Sequence, residues 1–275
     1  NTTGLNNTAI GYQSLFCNSS GSCNTAIGHV AGCNNTANQT VAVGYASLRT
    51  NTASYNIAVG ICALYNNSGL RNTALGFNVF RATNTGCDNI GAGYESMRSN
   101  TSGCYNSAYG SQSLCKNTTG GCNTAIGYRS LYYNTAGADN TAVGNNALYC
   151  NTGTYNTAVG SQSLQCNTTG TKNAALGYRA LQRNTTGSGN AAIGYESLSK
   201  NTTGYNNTAS GYGSLQCNTT GFKNTATGFI ALRLNTTGYG NTAIGYQAGR
   251  DNTTGHFNSS SGSYALQSNT TGNCN

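Results

Sequence analysis

The sequence contains no proline and no tryptophan, has one methionine, and carries few charges, because Asp, Glu, Lys and Arg make up 7% of its 275 residues. A soluble globular domain usually has about 25% charged residues and about 5% proline. A chain with so little charge is not kept disordered by self-repulsion. The missing proline and the lack of a three-residue glycine period exclude collagen. No apolar run approaches the roughly 18 residues of a membrane-spanning helix. The composition therefore disfavours an ordinary enzyme domain and predicts no membrane insertion.

The chain consists instead of a tandem repeat rich in Asn, Thr and Gly, which together supply 119 residues. The consensus is N-T-T-G-x-x-N-T-A-I-G-Y-x-S-L-x-x, and we number its positions 1 to 17. Position 7 is Asn in fifteen of sixteen copies, position 9 is Ala in fourteen, and position 15 is usually Leu. Position 11 is a glycine in every copy: Gly11, Gly28, Gly44, Gly60, Gly76, Gly93, Gly110, Gly127, Gly144, Gly160, Gly177, Gly194, Gly211, Gly228, Gly245 and Gly262.

This repeat predicts an all-β fold, because each unit is too short for two helices and is rich in poor helix formers. Short runs such as residues 123–128 fit strands that end at turn residues. We expect a β-solenoid (a parallel β-roll) of about 16 coils, with two short strands per 17-residue coil at positions 7–12 and 13–16. Asn side chains at positions 1 and 7 are expected to stack as ladders. Residues 1–275 are interpreted as a single repeat domain of 16 full repeats and a partial seventeenth, without separate caps.

The aromatic residues at position 12 are expected to form a stripe on one surface. A bend at the glycine of position 11 would bury the aliphatic residue of position 10 and release the ring of position 12 to solvent. Such a stripe is either a ladder of stacked rings that adds stability or a lateral interface with another copy. Its tyrosines are Tyr12, Tyr45, Tyr94, Tyr128, Tyr178, Tyr195, Tyr212 and Tyr246.

The N-T-A-I-G-Y-x-S-L motif, as in residues 7–15 and 123–131, resembles the head repeats of trimeric autotransporter adhesins. It is also similar to the Asn-Thr-rich repeats in the shafts of phage tail fibres. The resemblance implies a left-handed parallel β-roll, usually trimeric, that presents a binding surface away from the cell. This chain departs from the adhesins in its longer unit, in the absence of stalk heptads, and in its twelve cysteines.

The cysteines fall into pairs when they are placed on the repeat. Adjacent coils lie about 4.8 Å apart, which is within the Cα separation of a disulfide. A zinc site is disfavoured because no C-x-x-C pair exists and only two histidines are present. We therefore predict disulfides and, because disulfides persist in oxidising compartments, an extracellular location or one on a cell or virion surface. Cys274 is a candidate for an intersubunit disulfide. The predicted pairs are Cys17 with Cys23, Cys87 with Cys104, Cys115 with Cys122, and Cys150 with Cys166.

Seventeen N-x-Ser/Thr sequons occur, and many of them coincide with the Asn-Thr-Thr-Gly corner. One interpretation is that this tetrapeptide is favourable turn chemistry. The other is a glycan coat along one edge, with covalent glycans as partners of the chain. The corner sequons begin at Asn1, Asn18, Asn100, Asn117, Asn167, Asn184, Asn201, Asn218, Asn235, Asn252 and Asn269.

Catalytic and cofactor sites are not indicated. The five acidic residues form no carboxylate pair suited to acid–base chemistry, and the glycine corners lack the lysine of a phosphate-binding loop. We therefore predict no enzyme activity, no cofactor and no metal. The net charge is +8, and most Lys and Arg residues flank the corner. This basic edge is sparse beside the charge density of DNA, so no nucleic-acid partner is expected.

The remaining interpretation is a structural protein. Open strand edges template further pairing, so we expect head-to-tail stacking of the chain with copies of itself into an extracellular or surface fibre. An adhesin or tail-fibre-like shaft that binds a surface partner is the alternative. A third possibility is an ice-binding solenoid, because position 8 is Thr in nine of sixteen copies.

Overall fold

A computed structural model describes residues 2–275, so the sequon at Asn1 lies outside the described part of the chain. Within residues 2–275 the structure contains short strands and turns and no helix. The chain forms two compact units, Asn1–Ala138 and Asp139–Asn275. Both are wound from the same repeat, and each is built from parallel strands that lie 16 or 17 residues apart in the sequence. The predicted all-β parallel solenoid is confirmed.

The first unit contains a parallel sheet of three-residue strands and a smaller corner sheet of two-residue strands. The corner sheet joins positions just after the turn in four coils, and its order is β3-β5-β7-β9. The strands are β1 Thr8–Ile10, β2 Thr25–Ile27, β3 Asn34–Asn35, β4 Val41–Val43, β5 Thr50–Asn51, β6 Ile57–Val59, β7 Asn66–Asn67, β8 Thr73–Leu75, β9 Thr83–Asn84, β10 Ile90–Ala92, β11 Ser107–Tyr109 and β12 Thr124–Ile126.

The second unit repeats the three-residue strand once in each coil. Its strands pair with their sequence neighbours in order, and the register places equivalent repeat positions opposite each other, as in Thr208 with Thr225 and Ala209 with Ala226. Corner strands are not formed in residues 139–275. The strands are β13 Thr141–Val143, β14 Thr157–Val159, β15 Ala174–Leu176, β16 Ala191–Ile193, β17 Thr208–Ser210, β18 Thr225–Thr227, β19 Thr242–Ile244 and β20 Ser259–Ser261.

Positions 13–16 form a turn, so the second strand predicted there is not formed. A second strand occurs in four coils, just after this turn, as β3, β5, β7 and β9. The backbone leaves the first strand at the position 11 glycine, which has a φ near +130° in coil after coil. Positions 13 and 15 are also left-handed, as at Gln112 (φ 58°) and Leu114 (φ 48°). Such a conformation costs a non-glycine residue about 1 kcal/mol or more. Burial of the Leu114 side chain and its amide hydrogen bond of 3.0 Å to the Ser130 carbonyl offset that cost.

The inward-facing residue of each main strand is position 9, so the prediction that position 10 is buried is also wrong. Ala125 is fully buried, whereas Ile126 beside it is 42% exposed. Residues in a strand alternate between its two faces, and the interior accepts a methyl group where an isoleucine would not fit. Position 15 supplies the largest buried side chains, which are leucines such as Leu131 in most coils and Phe80 in one. The core is therefore a thin layer of alanine and leucine with buried asparagine beside it.

Two asparagine ladders connect successive coils, as expected for positions 1 and 7. At position 1, the Asn117 side-chain amide donates to the Asn100 side-chain carbonyl (2.8 Å) and to the Gly120 backbone carbonyl (2.9 Å). At position 7, the Asn106 amide donates to the Asn89 side-chain carbonyl (3.1 Å) and to the same Gly120 carbonyl (2.9 Å). No buried side-chain N or O atom in residues 2–275 lacks a hydrogen-bond partner. The polar interior is fully satisfied, as a low-dielectric core requires.

Candidate functional site

Cys87 and Cys104 are the predicted cysteine pair that the structure brings into contact. They occupy equivalent places on adjacent coils, their sulfurs lie 2.9 Å apart, and the Cys87 amide donates to the Cys104 sulfur at 3.0 Å. The hydrogen bond between the sulfurs, followed by burial, raises the pKa of Cys87 to about 11. All twelve cysteines are free thiols in this structure. The pair is therefore positioned for oxidation, but its Cys87 thiolate is scarce at neutral pH.

The other predicted pairs are not in sulfur–sulfur contact within residues 2–275. Cys17 stacks on Cys33, whose carbonyl accepts the Cys17 amide at 2.8 Å, and Cys23 lies against the preceding coil. Cys115 is buried while Cys122 is exposed. Cys166 lies close enough to Cys150 to add to the effect of burial, and both raise the pKa of the Cys150 thiol. Cys274 is exposed. The sequence did not predict Cys33 as the neighbour of Cys17. These two residues stack although they are 16 residues apart, so they differ by one in repeat position.

The predicted glycosylation sites at the corner are buried, which contradicts a glycan there. Each side-chain amide lies in the position 1 ladder and donates to a glycine carbonyl of its own coil. From Asn100 onward the nitrogen also donates to the preceding coil, as Asn201 does to Gly204 and Asn184. A sugar on such a nitrogen is incompatible with the folded coil, since it replaces one of the two donated hydrogens and the buried ladder has no room for it. The sequon asparagines that remain exposed are Asn6, Asn34, Asn38 and Asn206. The buried sites are Asn18, Asn100, Asn117, Asn167, Asn184, Asn201, Asn218, Asn235 and Asn252.

The position 12 rings lie on the surface and stack on one another. In the second unit Tyr178, Tyr195, Tyr212, Phe229 and Tyr246 follow each other with centroid separations of 5.0–5.3 Å. In the first unit the column includes a histidine, because His29 stacks between Tyr12 and Tyr45. Stacked rings present their edges outward and cover each other's faces. The geometry thus matches the ladder interpretation of the stripe.

A second aromatic column was missed from the sequence. Tyr205, Phe222, Tyr239 and His256 occupy position 5 of consecutive coils and stack with centroid separations of 4.8–4.9 Å. The signal was present as four aromatic residues at intervals of 17, but position 5 is variable elsewhere in the chain. Stacked rings of this kind add favourable contacts between coils at one corner of the second unit.

The outer face of the main strands is apolar and exposed. Positions 8 and 10 both point outward, and side chains such as Leu176 (50% exposed) and Ile193 (51% exposed) lie side by side. Together with Thr157, Val159 and neighbouring alanines they line a shallow groove of about 250 Å³. A contiguous apolar face of this kind marks an interaction surface or a liability to aggregate.

Cations gather along one edge of the first unit. Arg81, Arg98 and Lys116, on three consecutive coils, line a groove of about 310 Å³ with Ala82 and Ser99. Arg81 also borders the adjoining groove of about 370 Å³ that contains Arg49 and Tyr65. The Arg49 and Arg81 guanidinium groups lie over the Tyr65 ring at 5.4 and 5.6 Å from its centroid.

Within residues 2–275 no cluster of three or more His, Cys, Asp or Glu residues could hold a metal ion. No helix in the described part of the chain is long and apolar enough to cross a membrane.

No family model, curated protein or solved structure matches the chain. The candidate functional features of the described residues are the Cys87–Cys104 pair, the aromatic columns, the apolar outer face and the cationic edge.

Proposed function

We propose that this protein is a structural component of an extracellular or surface fibre, assembled by head-to-tail stacking of β-solenoid coils and stapled by cysteine pairs. Partners in this assembly are further copies of the same chain. N-linked glycans in this proposal lie on the exposed asparagines Asn6, Asn34, Asn38 and Asn206.

The observation that carries the proposal is the uniform junction between coils. Equivalent residues face each other at successive junctions, as in Thr8 with Thr25 and Ala9 with Ala26 in one unit and Thr225 with Thr242 in the other. The backbone ladder, the asparagine ladders and the stacked rings recur with the same spacing. A coil of one copy therefore presents to another copy the same hydrogen-bonding groups that join coils within a chain.

Electron microscopy of the purified full chain tests the proposal. We expect unbranched fibres that lengthen with protein concentration, and fibre diffraction with a meridional spacing of about 4.8 Å from coil stacking. Sedimentation should show a mass distribution that shifts upward with concentration. Discrete monomers at high concentration under oxidising conditions would contradict head-to-tail assembly.

Ice binding is a second candidate, and it is favoured by one observation. Thr208, Thr225 and Thr242 lie in register on the outer face of the second unit, one per coil. Alanines at 174 and 191 interrupt the array on the preceding coils. Thermal hysteresis of the purified chain distinguishes the two functions, since a fibre protein without ice affinity leaves the freezing point unchanged.

A further inference from the structure

The cationic edge of the first unit is the surface that the fibre proposal leaves unexplained. The structure contains four ion pairs in residues 2–275, which neutralise Arg71, Arg98, Arg179 and Arg250. Arg81 and Lys116 have no acidic partner among them. Arg98, between them, makes only a 3.4 Å contact with Glu95. The groove that these three cations line therefore retains a net positive charge.

The shape of the groove indicates an extended ligand. Its cations come from consecutive coils, so they are spaced along the stacking direction at about 4.8 Å per coil. The groove continues past Arg81 to Tyr65 and Arg49. The Ser99 and Tyr65 hydroxyl groups add hydrogen-bonding capacity between the charges. A ligand that follows this line needs repeated anionic groups with hydroxyl groups between them.

Charge density separates the classes of polyanion. Duplex DNA carries one negative charge per about 1.7 Å of its axis, whereas this edge offers at most one cation per coil, that is, per about 4.8 Å. A polymer with one carboxylate or sulfate per sugar or per disaccharide matches the cation spacing more closely. We infer that the groove lined by Arg81, Arg98 and Lys116 binds an acidic polysaccharide.

Binding of fluorescent polysaccharides to the full chain tests this inference. The probes are polygalacturonate, which carries one carboxylate per sugar, κ-carrageenan, which carries one sulfate per disaccharide, neutral dextran, and a short DNA duplex. We expect at least one acidic polysaccharide to bind more tightly than the duplex at equal charge concentration, and neutral dextran not to bind. Failure of both acidic probes to bind, or equal or tighter binding of DNA, overturns the inference.

A matched pair of variants locates the site. The double variant Arg81→Gln and Lys116→Gln removes two unpaired cations from the groove. The control, Lys172→Gln and Lys223→Gln, removes two exposed cations from position 6 of the second unit. We expect the groove variant to bind about tenfold more weakly, with a log–log salt dependence shallower by about 2, and the control to stay within about twofold of the parent. An equal loss in both variants overturns the assignment to the groove. Circular dichroism checks that both variants keep the parent fold.

Discussion

Asn117 donates its side-chain amide to the side-chain carbonyl of Asn100 on the preceding coil, at 2.8 Å, with both residues fully buried. The Asn117 carbonyl in turn accepts from Asn134 at 3.1 Å. An amide can occupy every place in such a ladder because it both donates and accepts. This explains why position 1 is nearly always asparagine, and why its sequons are structural in the folded chain.

Replacing a ladder amide by a carboxylate should destabilise the chain. Asn117→Asp removes two hydrogen-bond donors and buries a charge that faces the Asn100 carbonyl, so we expect the free energy of unfolding to fall by about 3 kcal/mol or more. Asn206→Asp, the same change at an exposed asparagine, should shift it by less than about 0.5 kcal/mol. Urea denaturation measures both. Equal effects would show that the ladder does not stabilise the coil as we describe.

Position 11 requires glycine for two reasons: its φ is positive, and the backbone of the next coil lies too close for a Cβ atom. A Cβ at Gly177 (φ +134°) would lie 2.5 Å from the Gly194 carbonyl oxygen, whereas a Cβ at Gly262 (φ +120°) would meet no atom within 4 Å. We expect Gly177→Ala to cost about 3 kcal/mol or more and Gly262→Ala about 1–2 kcal/mol, since only the first adds a clash to the backbone strain. Thermal unfolding followed by circular dichroism compares them. A similar cost for both variants would show that backbone strain alone, and not the clash with the next coil, makes alanine unfavourable at this position.

Mild oxidation should link Cys87 to Cys104. Diamide takes up the two electrons and two protons released when the sulfurs join, and mass spectrometry of blocked digests identifies the linked peptides. The rate should rise as pH increases from 7 towards 11, because the raised pKa of Cys87 limits its thiolate. In the reduced chain, the raised pKa of Cys87 adds to the free energy of unfolding below pH 9.0. This stabilising contribution is lost as the pH rises from 9.0 towards about 11.

Serine variants control the oxidation experiment. Cys104→Ser should abolish the linked peptide, while Cys274→Ser should leave it in place, since Cys274 is exposed and lies on another coil. Linkage of Cys87 to any other cysteine as the main product would contradict the geometry of the pair.

Blocking the edge of β1 should stop fibre growth. The Thr8 amide donates towards β2, to the Asn24 carbonyl at 2.8 Å. Successive residues of a parallel strand bond to opposite neighbours, so the Ala9 amide faces the edge opposite β2. Ala9→Pro removes this donor without removing a β1–β2 hydrogen bond and should prevent fibres in electron micrographs. Ala9→Ser keeps the amide and should assemble normally. Fibres of unchanged length from the proline variant would contradict stacking at this edge.

Much of the fold could be predicted from the repeat. The interval of 16 or 17 residues, the short strand and the asparagine ladders follow from the spacing of glycine and asparagine, and all three are present. The turn at positions 13–16 was not predictable from propensity, because Gln112 and Leu114 adopt left-handed φ values that such residues rarely take. Only the stacking of coils, which supplies hydrogen bonds and burial, makes this conformation favourable.

The candidate site was predicted less completely. The sequence identified Cys87 with Cys104 because they share one repeat position and the coil spacing places them together. It could not show that Asn201 is buried, since a sequon and a ladder asparagine are the same residue type in the same tetrapeptide. The grouping of Arg81, Arg98 and Lys116 was visible as a basic edge, but the groove between them depends on the turn geometry.

The sequence by itself determined that this chain winds into a parallel β-solenoid, because glycine and asparagine recur at a fixed interval that is too short for two helices and fits one coil of short strands. The tertiary structure decided which side of that strand faces inward. The interior closes around alanine at position 9 because stacked coils leave space for a methyl group there, and this places the isoleucines, tyrosines and cations on the surfaces available to partners.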